Sequence, residues 1–538
     1  MPEAVPIDIT VNTDVGPATI PDLDSFPPTG TPIHPKLSSW DLYRSIGSPQ
    51  RVVAPMVDQS ELPWRILSRR YGSELVYTPM INAKLFADEN SKKKKVKYQG
   101  VNFNKEFAEE GATSLSLTPA SSSSSEPSIS AEGRFKDTDR PLFVQFCAND
   151  PSTLLRAAQV VEDRCDAVDL NLGCPQHIAR RGHYGSYLME DWPLIFSLIN
   201  ILHTNLKVPV TAKMRVYESV EETVAYARML ERAGAQILTV HGRTRNMKGH
   251  HTGLADWNKI RAVKEAVKVP VFANGNVLYP QDFYDALAAM GAEGIMSAEG
   301  NLYNPAVFMK FLASVPSRMF PNAPALPFPS IVAMAHEYLD IVTSLRTPTQ
   351  SSAIKAHLFR LCRPALEVHR DLREQLGKAR FDDKAVGPAK IVTYRQFLTE
   401  LERRLEKDMK SGKWEKQPDP PLPGSVSHLT EPNGEAGRPA YIPHWLAQPY
   451  FRPPLVPGEP GGKEADKVKA EKKADKVKAE KKADKGDGGK STEMNGDIQI
   501  QGEGKVARGR SGSAEVEGEG EKKKAKLNDD KEIAQIAR

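Results

Sequence analysis

Eight short runs rich in valine and isoleucine recur between residues 52 and 297, and most are separated by a stretch whose apolar residues fall at helical spacing. The runs are Val52–Pro55, Leu75–Thr78, Leu142–Phe146, Ala167–Leu172, Val210–Met214, Ile237–His241, Val271–Asn274 and Gly294–Ser297. Between them, Glu221–Ala233 carries Val224, Ala227, Met229 and Leu230 at the helical period, and Trp257–Val267 and Gln281–Met290 do the same. Strands alternating with helices in this way predict an α/β fold, a (β/α)8 TIM barrel over about residues 45–325.

The 538-residue chain holds more than one such unit. Residues 1–44 are rich in Pro, Thr and Asp without a period and read as a disordered arm. Between about 90 and 140, Lys92–Lys95 and the serine block Ser121–Ser125 mark an insertion, which a barrel loop tolerates because lengthening a loop costs little closure entropy. After Pro329 the pattern turns helical, with Ile331–Leu345, Ala353–Val368 and Tyr394–Leu405 forming a small all-helical domain over 326–412. Residues 413–538 are proline-rich, then carry a lysine- and glutamate-rich tandem repeat, and are expected to be disordered. Lys522–Lys526 has the composition of a nuclear-import address, and equally of a solubilising run.

No apolar run approaches the ~20 residues of a membrane span, and the N-terminus has neither a secretory core nor the arginines of a transit peptide. Cys147, Cys165, Cys174 and Cys362 are too scattered for a zinc framework and too few for a disulfide scaffold. An intracellular protein of the cytoplasm, the nucleus or both is expected, monomeric, with no metal and no membrane contact. The net charge of +5 is too modest to argue for nucleic acid by itself.

In a parallel barrel the loops after the strands converge on one face, so polar residues at strand ends are site candidates. Pro55, Met56 and Val57 follow the first run, Gln145 lies near the end of the third, and Asn171 and Cys174 follow the fourth. Lys213 and Arg215 close the fifth, His241 the sixth, Asn274-Gly275-Asn276 the seventh and Ala298-Glu299-Gly300 the eighth. Singly, each has a plain structural role: a core cysteine, a lysine reaching solvent, a hydrogen-bonded core histidine. Jointly, one lysine, one histidine, amides and glycines suit a flat, phosphorylated cofactor with a polar edge, a description that FMN fits. Its phosphate is expected at the turn from Ser297 to Asn304. No G-x-G-x-x-G follows a first strand, so a Rossmann nicotinamide site is not indicated.

The series Ala54-Pro55-Met56-Val57, Val144-Gln145-Phe146, Leu170-Asn171-Leu172-Gly173-Cys174-Pro175, Lys213-Met214-Arg215, His241-Gly242-Arg243-Thr244 and Ala273-Asn274-Gly275-Asn276 resembles the motifs of the tRNA-dihydrouridine synthases, in family order. Lys355-Ala356-His357-Leu358-Phe359 extends the likeness into the helical part, and Ser297–Leu302 resembles the eukaryotic branch acting on D-loop positions 16 and 17. The resemblance implies FMN reduced by NADPH, hydride delivered to one carbon of a uracil 5,6 double bond, and Cys174 protonating the other. It further implies Lys213 and His241 against the flavin, Gln145 at its edge, Glu299 contributing its backbone, and Asn171 and Asn82 on a flipped base. A thiol with an ordinary pKa of ~8.5 is protonated at neutrality and can donate to a developing enolate.

His357, Arg360, Arg363, His369, Arg370 and Arg373 recur at spacings that put cations along one helical face, where with Arg215 they are expected to meet tRNA. A solvated helix end is the plain alternative. Rival functions are a flavin dehydrogenase of a free pyrimidine, which needs no basic helical domain, and a noncatalytic tRNA-binding factor.

Overall fold

The computed structural model describes residues 20–87, 139–249, 252–309, 328–345, 347–382, 385, 387–411 and 442–450. The 90–140 insertion, apart from its last two residues, and the lysine-rich repeat and Lys522–Lys526 lie outside the described residues.

The strands are β1 (Arg51–Val53), β2 (Leu75–Tyr77), β3 (Ile81–Asn82), β4 (Leu142–Cys147), β5 (Ala167–Leu172), β6 (Val210–Arg215), β7 (Leu238–His241), β8 (Val271–Asn274) and β9 (Gly294–Ser297). All pairings are parallel, and β2 with β4 and β1 with β9 complete the ring. This is the expected TIM barrel, with one short extra strand. β3 continues the line of β2 after a break at Pro79, which has no N–H for the ladder. The Thr78 hydroxyl instead accepts the Gln145 backbone N–H at 3.1 Å.

Register places Gln145 beside Asp169, Asp169 beside Thr211, Asn171 beside Lys213 and Arg215 beside His241. Because successive strand residues face opposite sides, the alternating residues Val168, Leu170 and Leu172 face the helices while Asp169 and Asn171 face the barrel interior. The outward set is fully buried. At ~25 cal/mol per Å2 of apolar surface, that burial holds the barrel closed and leaves its axis available to polar groups.

Three expectations are corrected. Residues 20–44 are not a disordered arm: they pack against the barrel, with Phe26 stacked on Phe196 at 5.6 Å and Tyr43 donating to the Glu293 carbonyl at 3.1 Å. Isolated aromatic anchors and backbone bonds, such as Ile33 N–H to the Thr204 carbonyl at 2.9 Å, leave no sequence period. Ala353–Val368 is two helices, Ser351–Leu361 and Arg363–Val368, because Pro364 cannot continue the hydrogen-bond ladder. Within the tail, residues 442–450 are ordered. Ala447 donates to the Pro329 carbonyl at 2.9 Å, and Asp408 Oδ2 lies 2.7 Å from His369 Nε2 and 3.0 Å from His444 Nε2.

The trailing helices are Ile331–Ser344, Ser351–Leu361, Arg363–Val368, Asp371–Lys378 and Val392–Ser411, and the first two meet the barrel at Glu61, the cap of the buried helix Leu62–Arg70. Tyr338 donates to Glu61 Oε1 at 2.7 Å, and His357 Nε2 lies 3.0 Å from Oε2. The His357 ring stacks on Trp64 at 3.8 Å. Burial alone would raise the Glu61 carboxyl, but the charge and hydrogen bonds of its partners outweigh it and hold the group below its ordinary range. Burial lowers His357. Among the described residues its Nδ1 has no partner, and its Nε2 is turned to the Glu61 carboxylate. Removing the acceptor strands two buried donors. Glu61→Ala should therefore lower the unfolding free energy by about 3–5 kcal/mol in denaturant titration, and Glu61→Gln, which retains an acceptor, by less. An unchanged Glu61→Ala midpoint would contradict the assignment.

Candidate active site at the mouth of the barrel

Cys174 is half-buried in the turn after β5, where the Asn171 side chain holds the backbone. Asn171 Oδ1 accepts from the Gly173 N–H at 3.1 Å and the Cys174 N–H at 2.9 Å. Asn171 Nδ2 donates to Gln145 Oε1 at 2.8 Å, Gln145 Nε2 to Asp169 Oδ2 at 2.8 Å, and Thr211 Oγ1 to Asp169 Oδ1 at 2.6 Å. Burial pushes the Asp169 carboxyl up to about 6 against the pull of Thr211 and Gln145. A carboxylate only accepts, so it orients the Gln145 amide, which in turn orients Asn171.

The far side of the turn is held by Ser186, whose N–H and hydroxyl donate to the Cys174 carbonyl at 3.2 and 3.0 Å. Gly185 allows this approach at φ +65°: a Cβ there would lie 2.8 Å from the Cys174 oxygen and 3.0 Å from its Cβ. Burial raises the Cys174 thiol, while the Gln176 N–H, Arg215 and Lys213 pull it down. The net direction keeps it protonated at neutral pH.

Lys213 Nζ donates to Asn274 Oδ1 at 2.9 Å, and Asn274 Nδ2 donates to the Met296 carbonyl at 2.9 Å, which fixes the amide's orientation. Burial, with Arg215 nearby, brings Lys213 down to about 7. His241 Nε2 lies 3.1 Å from Arg243 Nη1. A guanidinium can only donate, so this nitrogen accepts and the ring proton sits on Nδ1. Burial and the cations Lys213, Arg215 and Arg243 hold the imidazole well below its ordinary range, hence neutral.

Thus Gln145, Asn171, Cys174, Lys213, His241 and Asn274 are set by their strands around one barrel mouth. Several other expected contacts differ. Arg215 donates to the carbonyls of Gly173 at 2.7 Å, Thr244 at 2.7 Å and Met247 at 3.2 Å, so it braces two mouth loops rather than standing open to substrate. Asn276 is spent within the protein, its Oδ1 accepting from Ala255 N–H and Arg243 and its Nδ2 donating to the Ala255 carbonyl. Gly275, at φ +129°, lets Ala255 approach. Asn82 caps the helix Ala83–Phe86 through the Leu85 N–H at 3.1 Å.

Pro55 is half-buried, Met56 donates its N–H to Ser60 Oγ at 3.0 Å, and the Val57 side chain is exposed. Ala298 precedes the short helix Glu299–Tyr303, in which Gly300 packs against the Val277 carbonyl where any Cβ would clash. The Glu299 charge acts on Arg360, beyond the backbone role expected of it.

The cations of the helical part do not share one face. His357 is fully buried against Glu61 and Trp64 and out of reach of a phosphate. Arg360 donates to Gln59 Oε1 at 2.6 Å, and Arg363 pairs with Glu367 at 2.6 Å and lies over the Tyr450 ring. The helix break at Cys362 separates them. Asp169, Thr211, Arg243 and Ser186 were not among the candidate site residues, although Arg243 stands in the quoted motif series. A lone carboxylate inside the apolar run of β5 was the available signal for Asp169, while the others needed the fold.

A family model described as Dihydrouridine synthase matches residues 52–106 and 113–400. The chain is 43% identical over 421 residues to the tRNA-dihydrouridine(16/17) synthase of Saccharomyces cerevisiae, covering 78% of this chain and 87% of the yeast protein. It is 39% identical to the protein of the same name in Schizosaccharomyces pombe (78% and 92% covered) and 40% identical to a similarly named protein of Mus musculus (78% and 72%). These names carry the qualifier NAD(P)(+).

Gly185→Ala forces a methyl group against Cys174 at a left-handed position. The expected cost is about 1–3 kcal/mol of stability, with a changed rate of Cys174 alkylation by iodoacetamide, since the other three cysteines are buried. Wild-type values for both measurements would refute the role given to this glycine.

Proposed function

Because the chain belongs to the dihydrouridine synthase family, we propose that the barrel mouth binds FMN and brings a tRNA uridine, at D-loop positions 16 and 17, against Cys174 for reduction to dihydrouridine. The observation that carries this reading is the protonated Cys174 thiol sharing a mouth with Lys213, His241 and the amides of Gln145 and Asn171. Family membership favours tRNA over a free pyrimidine. The reading is of an NAD(P)-linked oxidoreductase inside the cell, in the cytoplasm, the nucleus or both, with tRNA and NADPH as its partners. No helix among the described residues is long and apolar enough to cross a membrane.

The donor set fits the proposed cofactor. A lysine, a neutral imidazole and amides offer hydrogen bonds of mixed polarity, as the edge of a flavin requires. Lys213, His241 and Gln145 would hold the ring, and the backbone of Ala298–Gly300 its phosphate. When bound, FMN reduced by NADPH supplies hydride to one carbon of the uracil 5,6 double bond. Cys174 gives its proton to the other carbon, its S–H bond breaking as the C–H bond forms, and the thiolate regains a proton from solvent. Burial keeps the thiol protonated beforehand, and Arg215 and Lys213 partly offset that burial by favouring the thiolate.

Cys174→Ala should reduce dihydrouridine formation in unmodified tRNA by about 10^2–10^4-fold, measured by mass spectrometry of nucleosides, with flavin and tRNA still bound. Full activity of this variant would remove Cys174 from the acid role, and absence of dihydrouridine with wild-type enzyme would refute the function itself.

Lys213 supplies a pH dependence. Its pKa in the folded protein lies near 7, below the ordinary ~10.4, so burial favours the neutral amine and the cation forms only as pH falls through about 7. FMN affinity should therefore rise as pH is lowered from about 9 to about 6, and Lys213→Met should flatten that dependence and weaken binding by roughly 10–100-fold. Wild-type affinity independent of pH over this range would count against contact between Lys213 and the flavin.

A further inference from the structure

The chain leaves the Cys174 turn directly into the helix His177–Gly182, which ends with His183 at φ +48°. Of these residues Ala179 is buried, while His177, Ile178, Arg180, Arg181 and His183 are exposed. The element is firmly seated: Asn149 Nδ2 donates to the Gly182 carbonyl at 3.0 Å, and the Tyr184 ring packs so closely on Gly182 that a Cβ there would lie 2.4 Å from it. Among the described residues neither Arg180 nor Arg181 has an ion-pair partner. Four arginines of the helical part do: Arg363 with Glu367, Arg395 with Asp340, Arg403 with Glu400 and Arg404 with Asp371.

Lys248 adds a third cation beside the thiol turn, with Nζ 3.2 Å from the Pro175 carbonyl and above the Tyr187 ring at 5.9 Å. Ile178, on the same helix as the two arginines, is 62% exposed. A surface arginine is ordinarily balanced by a nearby carboxylate or left solvated. Two adjacent unbalanced guanidiniums on a rigid support, six and seven residues beyond the thiol, are poised for an anion arriving at that thiol.

We propose that Arg180 and Arg181 grip tRNA phosphates flanking the reactive uridine, so that the backbone is held on the Cys174 side of the mouth while the base turns in. The proposal rests on the tRNA-reductase reading and moves the main phosphate contact from the helical part, where sequence spacing placed it, to the barrel's own thiol loop. Guanidiniums suit the task because their planar fork matches phosphate oxygens. Base extrusion costs a few kcal/mol, and phosphate contacts on both sides of the base offset it where it arises.

The test uses the full-length flavoprotein and an unmodified tRNA transcript, with fluorescence anisotropy across a salt series. Arg180→Ala/Arg181→Ala should weaken tRNA binding by roughly 10–100-fold and reduce the slope of log K against log salt by about 1.4–1.8, from two lost phosphate contacts. KM for tRNA should rise by a similar factor, with a much smaller change in kcat. Arg180→Lys/Arg181→Lys should recover most of the salt slope because it keeps both charges, and flavin absorbance confirms that each variant is folded. A double alanine variant with wild-type affinity and salt slope overturns the phosphate grip while leaving the reductase reading intact. Wild-type protein that binds tRNA but forms no dihydrouridine would instead overturn the reductase reading, and with it the positions assigned to these arginines.

Discussion

A single buried carboxylate organises the mouth of this barrel. Asp169 is fully buried on the inner face of β5, and its oxygens are satisfied by Thr211 and Gln145. That requirement propagates: Gln145 can give its N–H to Asp169 only by turning its oxygen to Asn171, and Asn171 then turns its own oxygen to the backbone of the Cys174 turn. Four side chains on three strands thereby fix one loop. An apolar core at this level would pack as well, but it would leave the thiol turn without a defined orientation.

Electrostatics at the mouth follow from the same burial. Desolvation, reinforced by the neighbouring cations Lys213, Arg215 and Arg243, keeps His241 neutral, and desolvation with Arg215 brings Lys213 down to about 7. Arg215 stays charged, and it is tied to three carbonyls. The result is a site whose fixed cation is structural and whose adjustable cation faces the place assigned to the flavin. Helix-to-barrel contacts at Glu61 tie the helical part to the loop after β1, and Arg360 reaches Gln59 in that same loop, so the trailing helices are built into the rim.

Much of the barrel was legible because its physics is local. A buried strand in a covered parallel sheet must be apolar, and the helices outside it must be amphipathic, so the eight strands stand out within a residue or two of their bounds. Residues 20–44 were misread for the converse reason: Phe26 and Tyr43 are single anchors whose partners lie far along the chain. His357 was misread because helical spacing reports which residues share a face and says nothing of whether a buried glutamate awaits one of them. Asp169 was passed over although a carboxylate within an apolar strand is itself a mark of a satisfied polar interior.

The amino-acid order alone determined the closed parallel barrel, the strand ends that carry polar groups, and the family to which the motif series belongs, since each depends on residue type at short, regular spacing. Only the tertiary structure decided how those groups are employed: Arg215 and Asn276 as braces, His357 as a buried partner of Glu61, and Arg180 and Arg181 without an ion-pair partner among the described residues. Hydrogen-bond satisfaction and charge pairing are settled between residues tens to hundreds of positions apart, and no spacing rule within a strand or helix can report a partner that the fold alone brings near.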